Sequence, residues 1–175
     1  MAPEDIAKAY YLEARSEITQ HIRLRDQAMF FYIVAVGALL GLSIDENGQL
    51  DASLLLFIPY LSLCVVLILA QREFHIGAAC RYCVEELADK HLQSASVVPW
   101  DRSESLGRVR RLMHYSRTMT HAIVTLLPAI MALFLAYEQR TEVSTVVWWG
   151  SIVVVAAALF IVISTRIIRE RLLAY

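Results

Sequence analysis

Ala52-Ser-Leu-Leu-Leu-Phe-Ile-Pro-Tyr-Leu-Ser-Leu-Cys-Val-Val-Leu-Ile-Leu-Ala70 is nineteen residues long and carries no formal charge. A helix rising 1.5 Å per residue covers about 28 Å over that length, close to the roughly 30 Å of hydrocarbon in a bilayer. The stretch therefore predicts a membrane-spanning helix. Working outward, Ala28–Ile44, Thr120–Tyr137 and Val143–Thr165 are also uncharged, and their lengths fall in the range of about 17–25 residues that spanning helices use. The fold expected is an all-α integral membrane protein, a four-transmembrane-helix bundle forming a single domain over residues 1–175.

Composition agrees: 58% of the 175 residues are hydrophobic and only 19% are charged, too apolar a balance for a soluble domain of this size. The first apolar run lies behind an amphipathic, slightly acidic segment and lacks a short apolar region followed by a small-residue cleavage site. The first span is therefore expected to stay in the mature protein. A formal net charge of −1 argues against a globally basic nucleic-acid binder, but it hides a strong local asymmetry. Of sixteen Lys and Arg residues, only Arg140 lies in the short loops after the first and third spans, Asp45–Asp51 and Glu138–Glu142. Basic residues are retained on the cytoplasmic side, so both termini are expected there. The outer loops are too short to form a sensing domain, so a signal would arrive from inside. Cys64, Cys80 and Cys83 lie in a span or on the cytoplasmic side, where thiols stay reduced and no disulfide is expected.

The polar segments read as continuations of the spans. Ile6, Tyr10, Ala14, Ile18 and Ile22 recur at helical spacing with Glu13, Glu17 and Arg23 off the stripe, which predicts one helix over Pro3–Ile44, about 60 Å long. Asp45-Glu-Asn-Gly48 supplies a turn. After the second span, Phe74, Gly77, Arg81, Val84, Leu87, Ala88 and His91 continue a helical face to about Gln93. The first two helices are thus expected to extend into a cytoplasmic helical stalk, residues 3–26 and 71–93. Ser94–Ser103, containing Val97-Val-Pro-Trp100, breaks the pattern and reads as a hinge or partner-contact loop. A basic helix over 104–118 then feeds the third span.

Several features bear on chemistry. Gly37-Ala-Leu-Leu-Gly41 is a small-xxx-small motif for close helix packing, within one subunit or between subunits. Pro59 and Ser62 in the second span, and His121, Thr125 and Pro128 in the third, are polar or kink-capable positions that a pore or gate could use. Hydroxyls in such helices also bond back to their own backbone. Arg108-Val-Arg-Arg111 with His114 and Arg117 is the densest basic cluster. Anionic lipid headgroups suit it, and so does a phosphate-bearing ligand such as a nucleotide or oligonucleotide. Cys80-Arg-Tyr-Cys83 with His75 and His91 resembles a metal or redox motif only loosely, since the pair lies inside a predicted helix and has no second pair, and packing is the simpler role. No cofactor, metal or catalytic residue is assigned. Arg15 through His21 and Arg108 through His114 match the loose Arg-x(4–6)-His spacing of HEPN ribonucleases, a spacing that chance supplies in a chain this rich in arginine. No Ser/His/Asp grouping, phosphate-binding loop or paired-carboxylate site supports another enzyme class.

Tyr11-Leu-Glu-Ala-Arg-Ser-Glu-Ile-Thr-Gln-His-Ile-Arg-Leu-Arg-Asp-Gln27 before the first span, and Ala70-Gln-Arg-Glu-Phe-His-Ile-Gly77 after the second, resemble a family of small bacterial four-span membrane proteins. In size and layout the chain is also similar to membrane effectors of anti-phage defence systems. That resemblance implies a homo-oligomer, often a tetramer, in the bacterial inner membrane that opens or permeabilises it on a nucleotide signal. It carries no catalytic residue across. The expected function is a latent channel gated by a cytoplasmic signal. The alternative is a non-conducting anchor or accessory subunit for a soluble cytoplasmic partner, and a membrane-tethered nuclease is a third reading.

Overall fold

The computed structural model describes residues 3–44, 48–83, 104–138 and 143–173, with side chains outside 3, 4, 7, 104–114 and 169–173. Its elements are α1 (Pro3–Leu42), α2 (Ala52–Leu55), α3 (Phe57–Arg81), α4 (Glu104–Tyr137) and α5 (Thr145–Leu173). Four stretches, Lys8–Leu42, Ala52–Arg81, Tyr115–Tyr137 and Thr145–Ile168, are long and apolar enough to cross a membrane. The chain is a multi-pass helical membrane protein.

α1 is one unbroken helix, as its stripe predicts, and at 1.5 Å per residue its 40 residues reach about 60 Å. Its buried positions, Ala14, Ile18, Arg25, Tyr32, Val36 and Ser43, recur every four or seven residues. That is the seam of a helix packed lengthwise against a near-antiparallel neighbour, here α3. Ile6 and Tyr10 belong to the predicted stripe but are exposed. The connection after α1 closes tightly: Asp51 N–H donates to the Ser43 carbonyl at 2.7 Å, Ile44 and Leu50 pair as an isolated antiparallel bridge, and Gly48 takes the left-handed φ of 76° that the turn requires. Asp51 then caps α2, accepting from the Ser53 and Leu54 N–H groups.

The second span departs from its expected continuity. It breaks at Leu56, between α2 and α3. Pro59 has no N–H to give the Leu55 carbonyl four residues earlier, and its ring crowds that carbonyl. The extension of α3 is described to Cys83, so its predicted run to Gln93 and the Ser94–Ser103 loop lie outside the described residues. Within the described part, the inward face carries Glu73, Ile76, Gly77 and Cys83, and Arg81 points outward.

α3 is the most buried of the four and packs against α1, α4 and α5. The upper core joins Tyr32 and Val36 to Leu55, Ile58, Val65, Ala132 and Ala136. Val66, Leu126 and Ala158 make a second cluster where α3, α4 and α5 meet. Beyond the apolar runs, Ala14 and Ile18 of α1 meet Ile76 and Cys83 of α3, with Cys80 against them, so these two cysteines pack in a helix seam. α5 is the least buried, in keeping with a lipid-facing helix, and exposes Val146, Val153, Phe160 and Ile163. It approaches α3 closely at Gly150, where an added Cβ would lie 2.8 Å from the Tyr60 hydroxyl.

Candidate functional site: a charge clasp at the end of the spans

Three helices each place a charged side chain at the same depth, where the apolar runs end. Arg25 precedes the first apolar run by three residues, Glu73 follows the second by three, and Arg117 precedes the third by three. Adjacent helices alternate in direction, so these offsets bring the charges together. Arg25 Nη1 donates to Glu73 Oε1 at 3.1 Å, and Arg117 Nη2 donates to Glu73 Oε2 at 3.1 Å. Each carboxylate oxygen thus takes an arginine from a different helix. Arg25 is 5% exposed and Glu73 8%. Charges so buried are tolerable only when paired and hydrogen-bonded. Arg25 also donates through Nε and Nη2 to Asp26 Oδ1, at 3.0 and 2.8 Å, so its two edges serve two acids.

One turn further along α1, Arg72 Nη1 lies 3.0 Å from His21 Nδ1. Arginine cannot accept, so Nδ1 does, and the ring proton sits on Nε2, 3.6 Å from Glu17 Oε1. The His75 ring stacks on His21 with centroids 5.1 Å apart. Arg72 Nε is buried without a hydrogen-bond partner among the described residues.

Toward the middle of the bundle, Tyr32 joins the same three helices through neutral groups. Its hydroxyl meets Ser62 Oγ at 2.8 Å and donates to the Thr125 carbonyl at 2.9 Å. Ser62 Oγ also lies 2.8 Å from the Ile58 carbonyl, so its single proton is shared between that carbonyl and the Tyr32 oxygen, and Thr125 Oγ1 donates to the His121 carbonyl at 2.8 Å. The predicted pore or gating residues are therefore set inside a single bundle: Pro59, Ser62 and Thr125 are buried, and His121 and Pro128 half-buried. α4 runs on through Pro128 without a break.

Arg117 is the one member of the predicted anion cluster whose side chain is described, and it is engaged with Glu73. Arg108, Arg110, Arg111 and His114 lie along α4, with side chains outside the described residues. Gly37 and Gly41 are exposed, and a Cβ at either would meet nothing within 4 Å, so among the described residues the motif packs against no other helix. Arg15 donates to the Tyr11 hydroxyl. Among the described residues no three His, Cys, Asp or Glu side chains gather as metal ligands would.

Glu73, Arg25 and Tyr32 escaped the sequence reading. The signal for the first two was present, in charges at equal distance from the ends of three apolar runs. Tyr32 carried none, since its hydroxyl looks like any other inside a span. No protein-family model matches the chain, and no curated protein or solved structure matches it either.

Proposed function

We propose that the chain is a homo-oligomeric inner-membrane effector with a latent conducting state, gated at the end of the bundle that carries the Arg25–Glu73–Arg117 clasp. The clasp is the observation that carries this reading. It joins α1, α3 and α4 where the apolar runs give way to polar helix, so a force or ligand acting on the polar end reaches three spans at once. The excess of Lys and Arg at that end supports a cytoplasmic location for it, with the extensions of α1 and α3 as a stalk. A nucleotide or oligonucleotide signal bound along Arg108–Arg117 would compete with Glu73 for Arg117, since phosphate and carboxylate use the same guanidinium edge. This is the mode of action implied by the likeness to anti-phage membrane effectors.

A single bundle has its centre filled by Tyr32, Leu55 and Ile58, so conduction runs between copies. The outward Gly37 and Gly41 stripe supplies the contact, with a tetramer as the working assembly. Purified protein in liposomes should release a trapped dye or ion when the activating nucleotide is added, and persistent silence across candidate nucleotides would sink the reading.

One observation favours the alternative, a non-conducting anchor for a soluble cytoplasmic partner. The exposed faces of the spans, with Phe30, Phe31, Phe134 and Phe160 among them, are apolar and suit lipid better than a wet pore. A stoichiometric soluble partner retained through purification, with no flux, would establish it.

A further inference from the structure

A crevice opens between α3, α4 and α5 beside the clasp. It holds about 50 Å³, room for about four water-sized groups. All three walls change character in the same direction. On α3 the lining passes from Val66 to Glu73, and on α4, which runs the opposite way, from Thr125 and Ala122 to His121 and Thr118. On α5 it passes from Val162 to Thr165 and Arg166. The apolar end of each wall lies inside an apolar run and the polar end lies at or beyond the end of that run. The crevice therefore repeats the gradient of a membrane leaflet, from hydrocarbon depth to headgroup depth.

Its rim is cationic. The clasp itself is balanced, Arg25 and Arg117 against Glu73 and Asp26, and Arg166 adds the surplus positive charge with an exposed guanidinium 5.1 Å above the Tyr115 ring. At the deep end the Thr125 hydroxyl is turned to the His121 carbonyl, which leaves an apolar floor.

We propose that this crevice binds an anionic phospholipid, with part of one acyl chain on the floor and the headgroup phosphate at Arg166 and Thr165. Charge complementarity selects the occupant: a zwitterionic lipid offsets its phosphate with its own ammonium, whereas an anionic one presents net negative charge to the arginines. A free phosphate ester has the same head chemistry but nothing for the floor. The site stands whether or not the chain conducts.

Native mass spectrometry of the full chain in detergent, titrated with phosphatidylglycerol or phosphatidylcholine of matched chains, tests it. The wild type should retain one phosphatidylglycerol in preference to phosphatidylcholine. Arg166→Gln, at an exposed position, should weaken that retention about fivefold, the contribution of one basic residue at a membrane surface. Ala122→Leu, which fills the floor, should lower retention of both lipids. Equal retention of the two lipids by the wild type, or an unchanged preference in Arg166→Gln, would overturn the proposal. So would displacement of the lipid by glycerol phosphate at equal concentration. Should Ala122→Leu fail to fold, the Arg166→Gln preference alone decides.

Discussion

Arg25 can serve Asp26 and Glu73 together only because a guanidinium presents separate edges with fixed directions. A lysine at the same place keeps the charge but offers one compact donor group. Arg25→Lys should therefore lose one of the two acids, most simply Asp26, which is exposed and regains water. If Glu73 is the one abandoned, a charge-assisted hydrogen bond worth about 1.5–3 kcal/mol goes with it. Thermal unfolding in detergent separates the two cases, because Arg25→Lys and Glu73→Gln should be close to additive if the lysine still reaches Glu73 and coupled if it has abandoned it. Single residues of this kind were only partly legible. The sequence marks Ser62 and Thr125 as polar groups inside spans, but the hydroxyls and carbonyls they meet depend on how each helix is rotated, and composition does not encode rotation.

Pro59 and Pro128 show how one residue type acts differently in two elements. Pro59 lies near the start of its span, where the chain can end α2 at Leu55 and begin again at Phe57. Pro128 lies in mid-helix, and α4 continues past it. The Tyr32 hydroxyl, which donates to the carbonyl of Thr125, helps to satisfy the α4 backbone next to Val124, whose usual donor Pro128 removes. Pro59→Ala restores the missing N–H and should fuse α2 and α3 into one helix. The Cα chemical shifts of Leu55–Phe57 should then move to helical values, and amide exchange at residue 59 should become slow. Helix existence was the most legible layer of this fold, because four uncharged runs leave no other way to satisfy backbone groups in hydrocarbon. The break at Leu56 was not, although Pro59 was in plain view, since whether a proline in a span kinks the helix, breaks it or passes unnoticed is set by its neighbours.

For the whole molecule, the hard question is which faces meet and which face lipid. In water, apolar periodicity answers it. In a bilayer both environments are apolar, so the pattern fades: the buried Val65 and the exposed Leu67 are alike in hydropathy. Only outside the spans, where Ala14, Ile18 and Ile76 pack, does the usual signal return, and there the stripe on α1 was readable. The outward glycines follow the same logic. With nothing among the described residues within 4 Å of a Cβ at Gly37 or Gly41, Gly37→Leu and Gly41→Leu should leave the fold intact. If they form the contact between copies, both should shift the protein from oligomer to monomer in native mass spectrometry or light scattering. Unchanged assembly would move that contact to another face.

The central claim is that the clasp holds the spans closed. Arg117→Gln tests it most directly, because Glu73 keeps Arg25 as its partner and the buried carboxylate is not left bare. Reconstituted in liposomes without any ligand, Arg117→Gln should leak a trapped ion or dye well above the wild type. If both proteins assemble equally and both remain tight, the clasp is a structural brace and the gating account is wrong.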